Sequence, residues 1–221
     1  ELKTKTLLAI LPHYSKEAVA EYLSSRAEEE IGRVKELCFD MKFKQRKTVE
    51  SFFPEASTVV DKFHVLSYLT SLIDSDRKII APRITSFENI RQIMRRPEGR
   101  LDEKEKAMLD SMFEEYPELK ERWLIYQKLS RFYRLKSKED AQMYLKEIKK
   151  DLSVLERSYT RNFLGTLDRL EIEILNYFDN RTTNAFTEGV HTKIKMIKRT
   201  SFGFRNIEIY IKKVMLAFIP I

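Results

Sequence analysis

The chain has 221 residues, 43% hydrophobic and 34% charged, with only five glycines and a formal charge of +7. That length builds one sizeable core, or a core plus a helical appendage, and scarce glycine among many charges predicts a mostly helical protein. A single cysteine, Cys38, excludes an internal disulfide and a multi-cysteine zinc finger, and with three histidines a structural metal site is not expected. No run approaches the ~18 apolar residues of a membrane helix, so no membrane partner and a cytoplasmic location are expected. The chain opens at Glu1 and enters the apolar run TLLAIL (6–11), the pattern of a start inside a domain, with no basic-then-apolar leader.

Three short apolar runs read as strands: KTLLAIL (5–11), VKELCF (34–39) and STVVD (57–61). Between them lie two helical patterns. The first follows Ser15, an N-cap with Ala18 at N3; the second covers about 42–53 and stops at Pro54. Strands alternating with helices predict a parallel sheet with crossover connections, whose carboxyl edge is where ligands gather. Asp40 closes the second run and Asp61 the third.

From about 64 to 181 the pattern is helical. FHVLSYLTSLIDSDRKIIA carries apolar residues at 65, 66, 69, 72 and 73, the helical spacing. After Pro82 follow SFENIRQIMRR, a loop at Pro97–Gly99, and DEKEKAMLDSMFEEY, where Asp102 and Glu105 form a capping box. ELKERWLIYQKLSRFYRLK, SKEDAQMYLKEIKKDL (N-capped by Ser137) and RNFLGTLDRLEIEILNYF complete the stretch. Trp123, Tyr126, Phe132 and Tyr133 sit at core-like spacing, so packing is expected of them before base stacking.

The last segment carries the charge. From Arg181 to Ile221 eight basic residues face two acids, Glu188 and Glu208. On a helical period, the helix from about 184 divides into an apolar stripe (Phe186, Val190, Ile194, Ile197) and a face headed by Glu188. His191, Thr192, Lys195 and Arg199 follow on that face, and Asn184 or a preceding Thr caps the helix. Gly189, beside the acid, costs roughly 1 kcal/mol in a helix interior relative to Ala. It reads either as room for a close approach or as an unhelpful residue on a salt-bridged surface. A carboxylate beside a cationic row suits Mg²⁺ held near a phosphate, because Mg²⁺ takes a few carboxylates plus phosphate and water. Such a site needs acids from separate elements, and Asp40 and Glu188 are candidates.

FDMKFKQRKTVESFFPEASTVVDKFHV (39–65) resembles the middle of the DDE transposases of bacterial insertion sequences, ISL3 type. That pattern runs Asp-Met, a helix, Pro-x-Ala, then Asp-Lys/Arg-Phe-His-Val. NYFDNRTTNAFTEGVHTKIKMIKRTSFGFRNIEIYIKKVML (176–216) resembles the same family's C-terminal signature: Thr-Asn-x-x-x-Glu-Gly, Ile-Lys, Lys-Arg, Gly-Phe-Arg-Asn. The resemblance implies an α/β fold: a partial ribonuclease-H-like core of about three strands, a large all-helical insertion and a helical C-terminus. The implied division is 1–82 as partial catalytic core, 83–180 as insertion, and 181–221 as helices completing the core.

The same resemblance implies three acids holding two Mg²⁺ (or Mn²⁺) ions that cut element ends and join them to target DNA. Asp40 matches the second acid and Glu188 the third, as catalytic and metal-holding residues. Asp61 and His64 match an Asp-x-x-His element read as supporting the site; otherwise Asp61 caps the following helix, with His64 in its first turn. His191, where the family usually has Asn, and Lys195, Lys198, Arg199 and Arg205 are the expected DNA-facing residues. Partners are then DNA, at transposon ends and target, and further copies of the chain in the active assembly. No first acid is found in this chain, so it is expected to be inactive alone in strand cleavage. Two other readings stand beside the transposase: a non-catalytic DNA-binding or interaction remnant, and a helical structural domain with a solvated basic face.

Overall fold

The computed structural model describes residues 1–80, 88–155 and 158–219. In chain order the elements are α1 (Lys16–Ser24), α2 (Glu28–Gly32), β1 (Glu36–Phe39), α3 (Arg46–Phe52), β2 (Ser57–Val60) and α4 (Lys62–Ile80). Then come α5 (Glu88–Met94), α6 (Glu103–Glu115), α7 (Pro117–Phe132), α8 (Lys138–Val154), α9 (Ser158–Arg169), α10 (Glu171–Leu175) and α11 (Tyr177–Asn180). Two further helices, α12 (Ala185–Thr200) and α13 (Ile207–Leu216), follow. The fold is mostly helical, and among the described residues no helix is long and apolar enough to cross a membrane.

The chain divides into two compact units, one of residues 1–61 with 181–221 and one of residues 62–180. In the first, β1 and β2 pair in parallel, Glu36 opposite Ser57 through Phe39 opposite Val60, and α3 makes the crossover. A parallel pair cannot be closed by a tight turn, which is why a helix lies between the strands. Val59 and Val60 are the buried positions of β2, while every residue of β1 is half-buried.

Two expectations are corrected here. Residues 5–11 form no strand, so the sheet among the described residues has two strands rather than about three. A strand's backbone groups need a ladder partner, and none pairs with this run. Two paired strands do not define a ribonuclease-H-like core. The helix expected over 42–53 begins only at Arg46, because Asp40 organises a turn first. Its carboxylate accepts the Lys42 N–H at 3.0 Å and its carbonyl accepts the Phe43 N–H at 3.0 Å. Phe43 is thereby stacked on Phe39 with ring centres 5.2 Å apart.

The second unit has a dense apolar core. Leu69, Leu119, Leu129, Phe132, Leu145, Phe163, Leu167 and Ile174 are fully buried. Trp123, Tyr126 and Tyr133 are buried with them, so the aromatic spacing along α7 serves packing. Phe132 meets Phe178 edge-on at 5.0 Å, and Tyr133 meets Tyr177 the same way at 5.4 Å.

Capping follows the sequence closely. Ser15 accepts the Ala18 N–H at 3.1 Å and Ser137 the Asp140 N–H at 3.0 Å. Asp102 and Glu105 form the reciprocal box at the head of α6, at 2.8 and 3.1 Å. Pro97–Gly99 leads into a short 3-10 turn, Glu98–Arg100, held by Gln127, which accepts the Glu98 N–H at 2.8 Å. The break expected at Pro82 and the helix start at Ser86 lie outside the described residues.

Candidate catalytic and nucleic-acid site

The site is built at the carboxyl edge of the parallel pair. Because Phe39 and Val60 are in register, Asp40 and Asp61 leave adjacent strands side by side, on strands that run about 4.8 Å apart. Asp40 is half-buried and Asp61 has no exposed surface. The Asp61 backbone N–H continues the ladder, donating to the Phe39 carbonyl at 3.0 Å.

The Asp61 side chain reaches across sequence. Its Oδ1 accepts the backbone N–H of Asn184 at 2.9 Å, fixing the residue before α12. Asn184 occupies the N-cap, but its own side chain makes no capping bond. The expectation that Asn184 itself caps the helix is therefore corrected: the buried Asp61 carboxylate takes the Asn184 N–H. An acid there also suits the positive end of the helix dipole. Thr182 reinforces the junction, donating its hydroxyl to the Glu36 carboxylate on β1.

Glu188 lies one turn into α12, and its carboxylate comes within 4.8 Å of that of Asp61. Two carboxylates so close repel unless something positive or a hydrogen-bond donor sits with them, and the hard oxygen donors fit a divalent cation. His64 lies in the first turn of α4, three residues beyond Asp61.

Beyond Glu188 the helix carries its two faces as spaced in the sequence. Val190 is buried, and Phe186, Ile194 and Ile197 are half-buried. His191, Lys195, Lys198 and Arg199 are exposed, as is Arg205 after the helix. Among the described residues Lys195, Lys198, Arg199 and Arg205 make no ion pair. Two of the other lysines on this hairpin are occupied. Lys193 donates to the Ala217 carbonyl, and Lys213 donates to Ser201 Oγ at 2.8 Å, tying α13 to α12. A methyl group added at Gly189 would meet no atom within 4 Å, so the fold's own packing does not require glycine there.

Cys38, on β1, has its thiol pushed up to about 12 by burial, with Asp61 and Glu36 adding to the shift. Sequence reasoning did not anticipate how deeply Asp61 is buried or its link to α12. The signal was its place directly after the two valines, Val59 and Val60, that end β2.

A parallel pair ending in two acids is thus met, at its carboxyl edge, by an acid on a basic helix. The family model of ISL3-type DDE transposases, described as a transposase, matches residues 1–214, and the chain belongs to that family. No curated protein and no solved structure matches it.

Proposed function

We propose that this chain contributes the catalytic edge and a DNA-tracking helix to metal-dependent strand cleavage and strand transfer in insertion-sequence transposition. The observation that carries the reading is the approach of the Glu188 and Asp61 carboxylates at the strand edge where Asp40 also ends. Asp40 and Glu188 are the proposed ligands of Mg²⁺ or Mn²⁺, and the Asp61 carboxylate, within 4.8 Å of that of Glu188, could share the ion. Asp61, buried and bonded to Asn184, acts as a positioning residue that sets where Glu188 stands. The bound ion would activate the attacking oxygen and stabilise the leaving one.

Lys195, Lys198, Arg199 and Arg205, exposed and without ion pairs, take up backbone phosphates, with His191 beside them. Such contacts position DNA without reading its bases. A second reading, a DNA-binding remnant without chemistry, draws on the same unpaired cationic row. Metal binding separates the two.

Mn²⁺ titration of the 221-residue chain, followed by electron paramagnetic resonance, is the test. Glu188→Gln and Asp40→Asn are each expected to weaken binding at least tenfold, and Asp61→Asn by about 10- to 100-fold through misplacement of Glu188. Mn²⁺ affinity that ignores all three substitutions would remove the catalytic reading. DNA binding is expected to fall with salt at a log–log slope of about −3 to −4 for four phosphate contacts, and Lys198→Ala should reduce that slope by about 1.

A further inference from the structure

Between α12 and α13 the chain turns through Ser201, Phe202 and Gly203, and Phe202 is 101% exposed. Its exposure is the greatest among the large apolar side chains of the described residues. Both Phe202 (φ 51°) and Gly203 (φ 95°) occupy the left-handed region. Glycine adopts that conformation readily; a phenylalanine there is unusual.

The turn is not loose. The Phe202 N–H donates to the Arg199 carbonyl and the Gly203 N–H to the Lys198 carbonyl, both at 3.2 Å, closing the helix end. Ser201 is held by Lys213 at 2.8 Å, and Phe204 packs on Tyr210 with ring centres 4.9 Å apart. One phenylalanine of the turn thus anchors the hairpin, while its neighbour two residues earlier projects into solvent. Around the projecting ring, Arg199 stands three residues before and Arg205 three after, both exposed and without ion pairs.

We propose that Phe202 is an aromatic wedge that stacks on an unpaired or unstacked base of DNA held by the flanking cations. A water-exposed ring next to protein carboxylates would suit many partners. A braced ring between unpaired guanidinium groups instead matches a polyanion whose interior is flat and aromatic. Base–aromatic stacking is tolerant of sequence, so such a wedge recognises distorted or opened DNA rather than a particular base. The inference rests on the DNA-binding reading above and adds to it a preference for DNA structure.

The test compares two oligonucleotides of equal length, a fully paired duplex and a fork with unpaired bases at its junction, by fluorescence anisotropy. Wild type is expected to favour the fork. Phe202→Ala should lose about 5- to 100-fold on the fork and less than about twofold on the duplex. Phe202→Tyr should retain the preference, whereas Phe202→Leu, apolar without a stacking face, should not. Because the ring touches solvent, all three variants should melt with wild type.

An alanine variant that keeps the fork preference overturns the proposal, as does an equal loss on both DNAs. A changed sedimentation coefficient without change in fork binding also overturns it, and assigns the ring to protein contacts. If wild type binds neither DNA in a salt-dependent way, the DNA-binding reading falls as well; duplex binding that weakens in Lys198→Ala while Phe202→Ala keeps its fork preference refutes the wedge alone.

Discussion

Replacing Gly189 with alanine should stabilise the protein. The residue lies in the interior of α12, is exposed, and has nothing within 4 Å of where the methyl group would stand. Its helical backbone is not one of the positive-φ positions, so alanine fits without strain. Glycine in such a place costs about 0.8–1.0 kcal/mol relative to alanine, chiefly because the unfolded chain loses more freedom. No packing term offsets this. For a unit of about 100 residues, that gain raises the melting temperature by roughly 4–8 °C. Differential scanning calorimetry, with helix content followed at 222 nm, reads the shift in whichever transition reports α12. A lower melting temperature would refute the reasoning, since it would mean that something already fills the space beside Glu188. A stabilised variant with weakened Mn²⁺ or DNA binding would identify the glycine as room for a ligand's approach.

Phe132→Ala should cost about 3–5 kcal/mol in urea unfolding, because the ring is fully buried against Phe178 and Tyr133; a loss under about 1 kcal/mol would mean that the surrounding aromatics collapse into the gap. Asp102→Ala removes one half of the capping box and should cost about 1 kcal/mol, read from the same urea curves. Cys38 should react with a disulfide reagent at pH 8.5 roughly a thousandfold more slowly in the folded chain than in urea, since its thiol titrates at about 12. Asp61→Asn should speed the reaction, because the Asp61 charge contributes to the shift after burial. With the sign worked through, the raised thiol pKa contributes stability that is present below about pH 8.5 and lost as pH climbs towards 12.

Local signals in the sequence translated well wherever a neighbour three or four residues away decided the outcome. Ser15, Ser137 and the Asp102–Glu105 pair cap the helices they were expected to cap. The apolar period of α4 delivers Val65, Leu69 and Ile73 to the core. Non-local decisions were harder to read. Residues 5–11 have the composition of a strand, but a strand also requires a partner, and composition does not say whether one is there. RNFLGTLDRLEIEILNYF has one continuous helical pattern, yet it is broken at Leu170 and Asn176 into α9, α10 and α11. The apolar period persists across those corners, which hides them. At the site, Asp40, Asp61 and Glu188 could be named from their places at strand ends and on a basic helix. That Asp61 grips the Asn184 N–H could not, because the two residues are 123 positions apart.

The same bond bears on how the molecule is made. One unit is discontinuous: its first part ends at Asp61 and it resumes at Arg181, with the other unit threaded between. During synthesis at ~5–20 residues per second, Asp61 therefore waits on the order of ten seconds for its partner backbone to emerge. In that interval the intervening helices, which own most of the buried apolar residues described, can fold first. Within residues 1–221, the acidic edge gains its cationic helix only after the intervening helices have been made.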